Sequence, residues 1–184
     1  MLLIGVLMAA LPAIAAGHIR TNDPDLARVL IEGAATSPTL AARVARLEAS
    51  NLVVYLEYEH FPTSGIAGYL TFLGSGGGWR YARIRIRHDL PKRYLVAMLG
   101  HELQHAAEIA DAPSVVDARA MAALYRRIGH ERSRGCQSFE TDAAIETANS
   151  VLRDLDTGPR SRMRQPTSGH NLSSEPDANA VESR

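Results

Sequence analysis

The chain has 184 residues, and its 20 Lys and Arg balance 20 Asp and Glu. This length allows one domain with short appendages. The chain has no net charge and lacks the excess of basic residues that is typical of nucleic-acid-binding proteins, so we expect no nucleic-acid partner. The single cysteine, Cys136, excludes an intrachain disulfide framework and any zinc site built from several cysteines.

Residues 1–16 form an apolar segment in which 14 residues are Ala, Val, Ile, Leu or Met. The segment is shorter than the roughly 20 apolar residues that span a bilayer. It ends in Ala13-Ile14-Ala15, a pattern typical of signal cleavage, but no Lys or Arg precedes it as in the usual signal. We predict a signal-like or membrane-targeting segment, and hence an exported or periplasmic protein that this segment can anchor to a membrane. A buried N-terminal helix and a cytoplasmic location are the alternatives.

Residues 158–184 have the opposite character. They contain three Pro and five Ser, and Leu172 and Val181 are their only branched aliphatic residues. Such a composition cannot bury enough apolar surface to offset the entropy lost on ordering. We predict a disordered tail, which discounts His170 as a ligand, and a folded domain over residues 17–157.

The domain begins with two predicted helices and a strand. Asp23-Pro24 and Ser37-Pro38 each combine an N-capping side chain with a proline suited to the first helical turn. Residues 51–62 are rich in β-branched and aromatic side chains, which predicts a strand ending near Pro62. Apolar residues recur at helical spacing at Leu26, Val29, Leu30 and Ala34, and again at Leu40, Val44 and Leu47.

A hairpin is predicted next, because a Gly-Ser-Gly-Gly-Gly run at residues 74–78 separates two strand-like stretches. The second arm alternates between two faces. One face carries Ala82, Ile84 and Ile86, and the other carries Arg83, Arg85 and Arg87. The arginine row indicates a solvated sheet face or edge; the alternative is a substrate-facing strand that prefers acidic partners.

Three helices complete the domain. The first opens at Pro91, the second runs from Pro113 to Gly129, and the third spans about Ser138 to Leu155. The order of elements predicts an α+β fold, in which a small antiparallel sheet with an edge strand packs beside helices. The predicted inward positions are Leu95, Met98, Leu99, Leu103, Ala106 and Ile109, then Val116, Ala120, Ala123, Leu124 and Ile128, then Ala143, Ala144, Ile145, Ala148, Val151, Leu152 and Leu155.

Residues 101–105, His-Glu-Leu-Gln-His, form an HExxH motif inside the first of these helices. Histidines four residues apart lie one helical turn above each other, so His101 and His105 can bind one metal ion, and imidazole is a good zinc ligand. Glu102 emerges about 100° around the helix, where it can accept a proton from metal-bound water. Chance produces the motif in only about 1.6% of sequences of this composition. We therefore predict one Zn²⁺ here; the alternative is a surface histidine pair beside a solvated glutamate.

Residues 81–155 resemble the zincin metallopeptidases, in which a strand bordering the substrate cleft precedes the HExxH helix and a later helix supplies the third ligand. The nearest likeness is to small uncharacterised bacterial zincin-like proteins in which Gly-His-Glu-Leu-Gln-His precedes Glu-Thr-Asp-Ala-Ala, here residues 100–105 and 140–144. The metzincin motif requires Gly and His where this chain has Glu108 and Asp111, which excludes that branch. Glu108 shares the histidine face, and we expect a carboxylate that supports the ligands or faces solvent.

The resemblance to glutamate-type zincins implies that Glu140 is the third metal ligand. Asp142 and Glu146 on the same predicted helix, and Asp117 on the preceding one, are its rivals. The acidic residue expected four positions after the third ligand is replaced by Ala144. Another group, such as Asp117, would then have to orient a ligand histidine.

The implied reaction is zinc-assisted hydrolysis of a peptide bond. Three protein ligands leave a fourth position for water, whose pKa falls to about 7 on zinc. Glu102 would act as general base and pass the proton to the leaving amine. We expect a peptide or protein substrate, bound as a short extended segment along the strand at residues 82–88. The candidate donors to the oxyanion are His130, Tyr125 and Tyr94.

Two other functions would use the same residues. Glu102 and His105 also form half of a Glu-x-x-His di-iron site, whose second half would be Glu57 and His60. That pair lies in a predicted strand, whereas such a site needs helices that face each other. A non-catalytic metal-binding or interaction module would keep the ligands without turnover, and only the retained Glu102 argues against it.

Overall fold

The structure is a computed structural model that describes residues 17–61, 66–131 and 139–157. The predicted apolar segment 1–16, the predicted tail 158–184 and Cys136 lie outside the described residues. No helix in the described part is long and apolar enough to cross a membrane. The described elements are β1 (Ile19–Arg20), α1 (Pro24–Thr36), α2 (Pro38–Glu48), β2 (Leu52–Glu59), β3 (Gly68–Gly76), β4 (Trp79–Arg87), α3 (Lys92–Ala110), α4 (Ala118–Ile128), β5 (His130–Glu131), β6 (Phe139–Glu140) and α5 (Asp142–Thr157).

The first two helices begin as the sequence predicts. Asp23 Oδ1 accepts hydrogen bonds from two N–H groups in the first turn of α1, each at 2.9 Å. Ser37 Oγ accepts from the Leu40 N–H at 3.1 Å and caps α2. The predicted apolar residues of both helices are buried or packed against the core, so α1 and α2 are confirmed.

The α+β class is confirmed, but the sheet is mixed rather than antiparallel. The described strands are ordered β1-β2-β4-β3, with β2 parallel to both β1 and β4 and only β3 antiparallel to β4. The β3–β4 hairpin turns through Gly77 and Gly78, whose φ angles of 59° and 82° favour glycine. Within the sheet, β3 lies outside β4, so β4 is the arm of the hairpin that pairs with β2, and it runs in the same direction as β2.

Strand β4 lies inside the sheet, not at its edge. It pairs with β2 on one side and β3 on the other, so the edge strand beside it, among the described residues, is β3. Ala82, Ile84 and Ile86 are fully buried in the core, as predicted. The arginine row lies on the opposite sheet face, where Arg83 and Arg85 reach the Glu57 carboxylate at 3.3 and 3.4 Å.

Helix α3 crosses the core and packs against the sheet, α2 and α5. Its predicted inward residues are buried or, for Met98, partly buried. A Cβ added at Gly100 would lie 2.8 Å from Val151 Cγ2, so glycine permits the close approach of α5 beside the HExxH motif. At the other end of α3, the buried Arg80 guanidinium donates to the carbonyls of Ile109, Ala110 and Ala112. These bonds fix the C-terminus of α3 to the start of β4.

The last two helices begin later than predicted. Asp117, not the Pro113 region, starts α4, because its Oδ1 accepts from the Ala120 N–H at 2.7 Å. Helix α5 starts at Asp142, and the preceding Phe139–Glu140 forms β6, which pairs with β5. Some predicted inward positions are therefore wrong, since the structure leaves them exposed: Val116, Ala123, Ile128, Ala143 and Ile145.

Candidate metal centre

The two histidines of the HExxH motif are buried and point at one carboxylate oxygen. His101 and His105 are 8% and 6% exposed, because α3 is covered on several sides. Their Nε2 atoms lie 3.1 and 3.3 Å from Glu140 Oε1. The imidazole rings are 4.9 Å apart between centroids and nearly perpendicular. The structure thus brings together the three residues that the sequence nominates.

Glu140 reaches the histidines because β6 packs closely on the end of α4. In the β5–β6 pair, His130 is the register partner of Glu140. A Cβ added at the preceding Gly129 would lie only 2.5 Å from the Glu140 carbonyl oxygen. Thr141, which follows Glu140, accepts the Ala144 N–H at 3.1 Å and begins α5. Glu140 therefore sits in a short strand just before α5, not on the helix as predicted.

This group has the geometry and the donor set to hold one metal ion. Each of the three residues offers one ligand atom, and these atoms lie within 4.8 Å of one another. Tetrahedral ligands at about 2.0–2.1 Å from zinc are separated by roughly 3.3 Å. The separations of Glu140 Oε1 from the two Nε2 atoms, 3.1 and 3.3 Å, are close to that value. Two imidazole nitrogens and a carboxylate oxygen are also donors that zinc accepts.

The rival third ligands lie elsewhere. Asp117 is exposed and caps α4, and it is Glu108 that lies against His105 Nδ1. Asp142 is exposed, and the exposed Glu146 pairs with Arg153. Within the described residues, no other His, Cys, Asp and Glu group that could hold a metal ion is present.

The second half of the di-iron alternative is not assembled. Glu57 lies in β2 and pairs with arginines of β4. The His60 ring lies 5.5 Å from the His88 ring, and His60 follows the end of β2. Neither residue is on a helix, which a bundle site of this kind requires.

Glu102 is buried where α3 meets the edge strand. The residue is 3% exposed. A Cβ added at Gly68, the first residue of β3, would lie 2.9 Å from Glu102 Oε1 and 3.2 Å from its Cγ. The carboxylate of Glu102 is therefore held beside the start of β3.

Glu108 contacts one of the candidate metal ligands and the residue that follows another. His105 Nδ1 lies 3.0 Å from Glu108 Oε2, and the Thr141 hydroxyl donates to Glu108 Oε1 at 2.8 Å. The sequence placed Glu108 on the histidine face but gave no sign of Thr141, which is 33 residues away. Helical spacing reveals the first contact, whereas the second depends on how β6 and α5 pack against α3.

The charges in this group stabilise one another. Burial alone would lower the pKa of His105, but hydrogen bonds to Glu108 and Glu140 and the charge of Glu102 raise it to about 9. Burial would likewise raise the pKa of Glu140, but hydrogen bonds from both histidines hold it well below its usual range. The same balance lowers the pKa of Glu108, with His105 as its main partner.

The three candidate oxyanion donors occupy different positions. The buried Tyr125 hydroxyl donates to the His105 carbonyl at 2.9 Å, which ties α4 to α3. Burial, together with the charges of Glu108 and Glu102, raises the pKa of Tyr125 well above its usual value. Tyr94 is 54% exposed near the start of α3, and His130 is exposed in β5.

Comparisons of the chain with protein-family models, with curated proteins and with solved structures found no match. The functional inference therefore rests on the HExxH motif and on the geometry of the His-His-Glu group.

Proposed function

We propose that this chain is a zinc-dependent hydrolase of the zincin type, a metallopeptidase in which His101, His105 and Glu140 hold one Zn²⁺ and Glu102 is the general base. The convergence of two buried imidazole nitrogens on one Glu140 oxygen carries this proposal. Catalytic zinc sites commonly have three protein ligands and leave one position for water or substrate. The retained Glu102, next to the ligand His101, supports a catalytic rather than a purely structural centre.

The residues of the chain would divide the work as follows. Zinc, when bound, acts as a Lewis acid that makes water a nucleophile near neutral pH. Glu102 takes up the proton of the attacking water at a carboxylate oxygen and passes it to the leaving amine. Burial keeps this carboxylate out of bulk water, and its contact with Gly68 limits its movement. Glu102 thus holds the proton between the two steps.

Strand β3 replaces β4 as the proposed binding site for the substrate backbone. Both sides of β4 are already paired, with β2 and β3, so residues 82–88 have no free backbone edge for a peptide. An extended peptide can add to an exposed sheet edge through main-chain hydrogen bonds. Because β3 begins at Gly68, in contact with Glu102, a peptide along this strand would bring its backbone to the general base.

The test combines zinc stoichiometry with hydrolysis of an unfolded protein substrate by the purified full chain. We expect about one zinc in the wild type and almost none in His101→Ala or Glu140→Ala. Glu102→Gln should retain zinc while hydrolysis falls about 10²–10⁴-fold, the usual contribution of a general base. Glu146→Gln, on an exposed ion pair, is the matched control and should behave as the wild type. Hydrolysis that survives in Glu102→Gln would refute the mechanism.

A non-catalytic metal centre is the second candidate, and the burial of all three ligands favours it. Structural zinc sites are closed, whereas catalytic ones keep an open position. This candidate predicts zinc binding in the wild type and in Glu102→Gln, no hydrolysis by either, and loss of folding free energy when zinc is removed by a chelator. The same set of variants therefore distinguishes the two functions.

A further inference from the structure

The Glu108 carboxylate joins the two segments that carry the metal ligands. Glu108 lies three residues after His105 on α3, and its Oε2 is 3.0 Å from His105 Nδ1. Its Oε1 accepts hydrogen bonds from Thr141 Oγ1 at 2.8 Å and from Gln104 Nε2 at 3.3 Å. Thr141 directly follows Glu140. One carboxylate thus contacts the second ligand and the neighbour of the third.

The neighbours of Glu108 are arranged as donors, so this position requires an acceptor. The Thr141 oxygen already accepts the Ala144 N–H, which leaves its proton for Glu108. The Gln104 oxygen accepts from Arg43 at 2.7 Å, which turns the amide NH₂ toward Glu108. An ionised carboxylate accepts at both oxygens, whereas a glutamine at position 108 would point its own NH₂ group at one of these donors.

We propose that Glu108 is the positioning residue of the metal centre, holding His105 with its proton on Nδ1 and fixing this ring relative to the segment that carries Glu140. The proposal rests on the zinc site proposed above. An imidazole protonated at Nδ1 keeps its lone pair on Nε2, the atom that lies 3.3 Å from Glu140. A carboxylate bonded to a ligand imidazole fixes the ring orientation and strengthens the ligand, and its loss typically costs 10–100-fold in metal affinity.

The other contacts of this region do not replace Glu108. Tyr125 holds the His105 main chain through its carbonyl, so this bond does not set the rotation of the ring. The His105 and Tyr125 rings pack nearly perpendicular to each other, 5.4 Å apart between centroids, and this contact does not fix the position of the imidazole proton. Apart from the Nε2 contact with Glu140, only the Glu108 hydrogen bond of His105 is sensitive to where the imidazole proton lies, and a metal ion on Nε2 would require that proton on Nδ1.

The test measures zinc affinity of the full chain by competition with a chelating indicator. We expect Glu108→Gln to bind zinc about 10–100-fold more weakly than the wild type. Thr141→Val, which removes one bond to Glu108, should also weaken binding, and Thr141→Ser should restore it. Glu146→Gln serves as the control, because it alters a glutamate outside the centre. The unfolding midpoint of each metal-free variant separates effects on folding from effects on the site.

A spectroscopic measurement isolates the positioning role from general stability. In the cobalt-substituted protein, ligand imidazole N–H protons give paramagnetically shifted signals that exchange with solvent. We expect the His105 Nδ1–H signal to exchange slowly in the wild type and in Glu146→Gln, and to broaden or disappear in Glu108→Gln. A carboxylate that only stabilised the fold would change the unfolding midpoint and leave this signal alone.

The outcomes separate the two proposals. Zinc binding that is lost in His101→Ala but unchanged in Glu108→Gln, with an unchanged N–H signal, would overturn the role of Glu108 and leave the metal centre standing. A wild type that binds no zinc would overturn both. If Glu108→Gln does not fold, equal zinc affinities of Thr141→Val and Thr141→Ser would refute the positioning role, and a loss in Val that Ser restores would support it.

Discussion

Replacing Gly129 with Ala should disturb the proposed metal centre, although Gly129 is not one of the proposed ligands. A Cβ at this position would lie 2.5 Å from the Glu140 carbonyl oxygen and 3.1 Å from the Tyr125 carbonyl oxygen. Carbon–oxygen contacts of this kind normally measure about 3.3–3.6 Å. The new methyl group must therefore push the Glu140 backbone away by roughly 0.8–1.1 Å. Both obstructing atoms belong to the backbone, so no flexible side chain can relieve the contact.

This displacement is large compared with what a metal site tolerates. Ligand distances normally stay within about 0.2 Å of their ideal values. We expect Gly129→Ala to bind zinc at least about tenfold more weakly, similar to the loss of an orienting contact. Forcing a methyl group into a packed position should also cost about 1–3 kcal/mol of folding free energy. The assay is zinc titration of the folded variant, with urea unfolding of the metal-free protein measured in parallel.

Two glycines provide controls for Gly129. A Cβ at Gly33 would lie 2.9 Å from Leu40 Cδ2 and Val96 Cγ1, so Gly33→Ala should lower stability without moving Glu140. A Cβ at Gly76 would meet nothing within 4 Å, so Gly76→Ala should change neither quantity. Wild-type zinc affinity in Gly129→Ala would show that β6 adjusts without moving the ligand, and would refute the reasoning.

Three further predictions concern stability and turnover. Arg80→Met should lower the free energy of unfolding by about 3 kcal/mol in a urea titration, because three carbonyls at the end of α3 lose a charged donor; an unchanged midpoint would contradict the capping role. Burial opposes ionisation of Asp154, but hydrogen bonds from Ser37 and the Thr39 N–H lower its pKa. Asp154→Ala should therefore lower the free energy of unfolding by about 1 kcal/mol at pH 7. This difference from the wild type should persist above the unfolded pKa of about 3.9 and shrink as the pH falls through the lower folded pKa. A difference in unfolding free energy that stays constant down to about pH 2 would contradict this prediction. Gly68→Ala should displace Glu102 and slow hydrolysis by up to about 100-fold while zinc stoichiometry stays at the wild-type value; equal turnover in Gly68→Ala and Gly76→Ala would argue against it.

The sequence predicted the elements whose signals are local. Capping residues and helical spacing located α1 and α2, and helical spacing after Pro91 located α3. Period-two alternation separated the buried from the charged face of β4. The same alternation occurs in parallel and antiparallel strands, so it did not reveal that β4 runs parallel to β2. Strands β5 and β6 have two residues each, too few to show any period, which is why the sequence predicts the residues of β6 as part of the last helix.

Arg80 shows that the alternation of inward and outward residues along β4 does not explain every buried position. Its position has the same parity as Ala82 and Ile84, so the sequence could place it on the inward face of β4. It could not show why a charged group is tolerated there. The end of α3 supplies carbonyl acceptors 29 to 32 residues away, and only the tertiary structure brings them to the guanidinium.

In the candidate metal centre, too, some features follow from the sequence and others depend on tertiary packing. The pairing of His101 with His105 follows from the sequence, because residues four apart on any α-helix share a face. The resemblance to glutamate-type zincins predicts Glu140 as the third ligand. Its position next to both imidazoles, however, depends on the close packing of Gly129 against Glu140 and on the β5–β6 pairing. The link from Glu108 to Thr141 likewise arises only when segments 33 residues apart are packed together. The periodicity of a helix or strand depends on residues that are close in sequence, so the sequence alone can reveal it. Contacts between distant segments depend on how the whole core packs, so only the tertiary structure decides them.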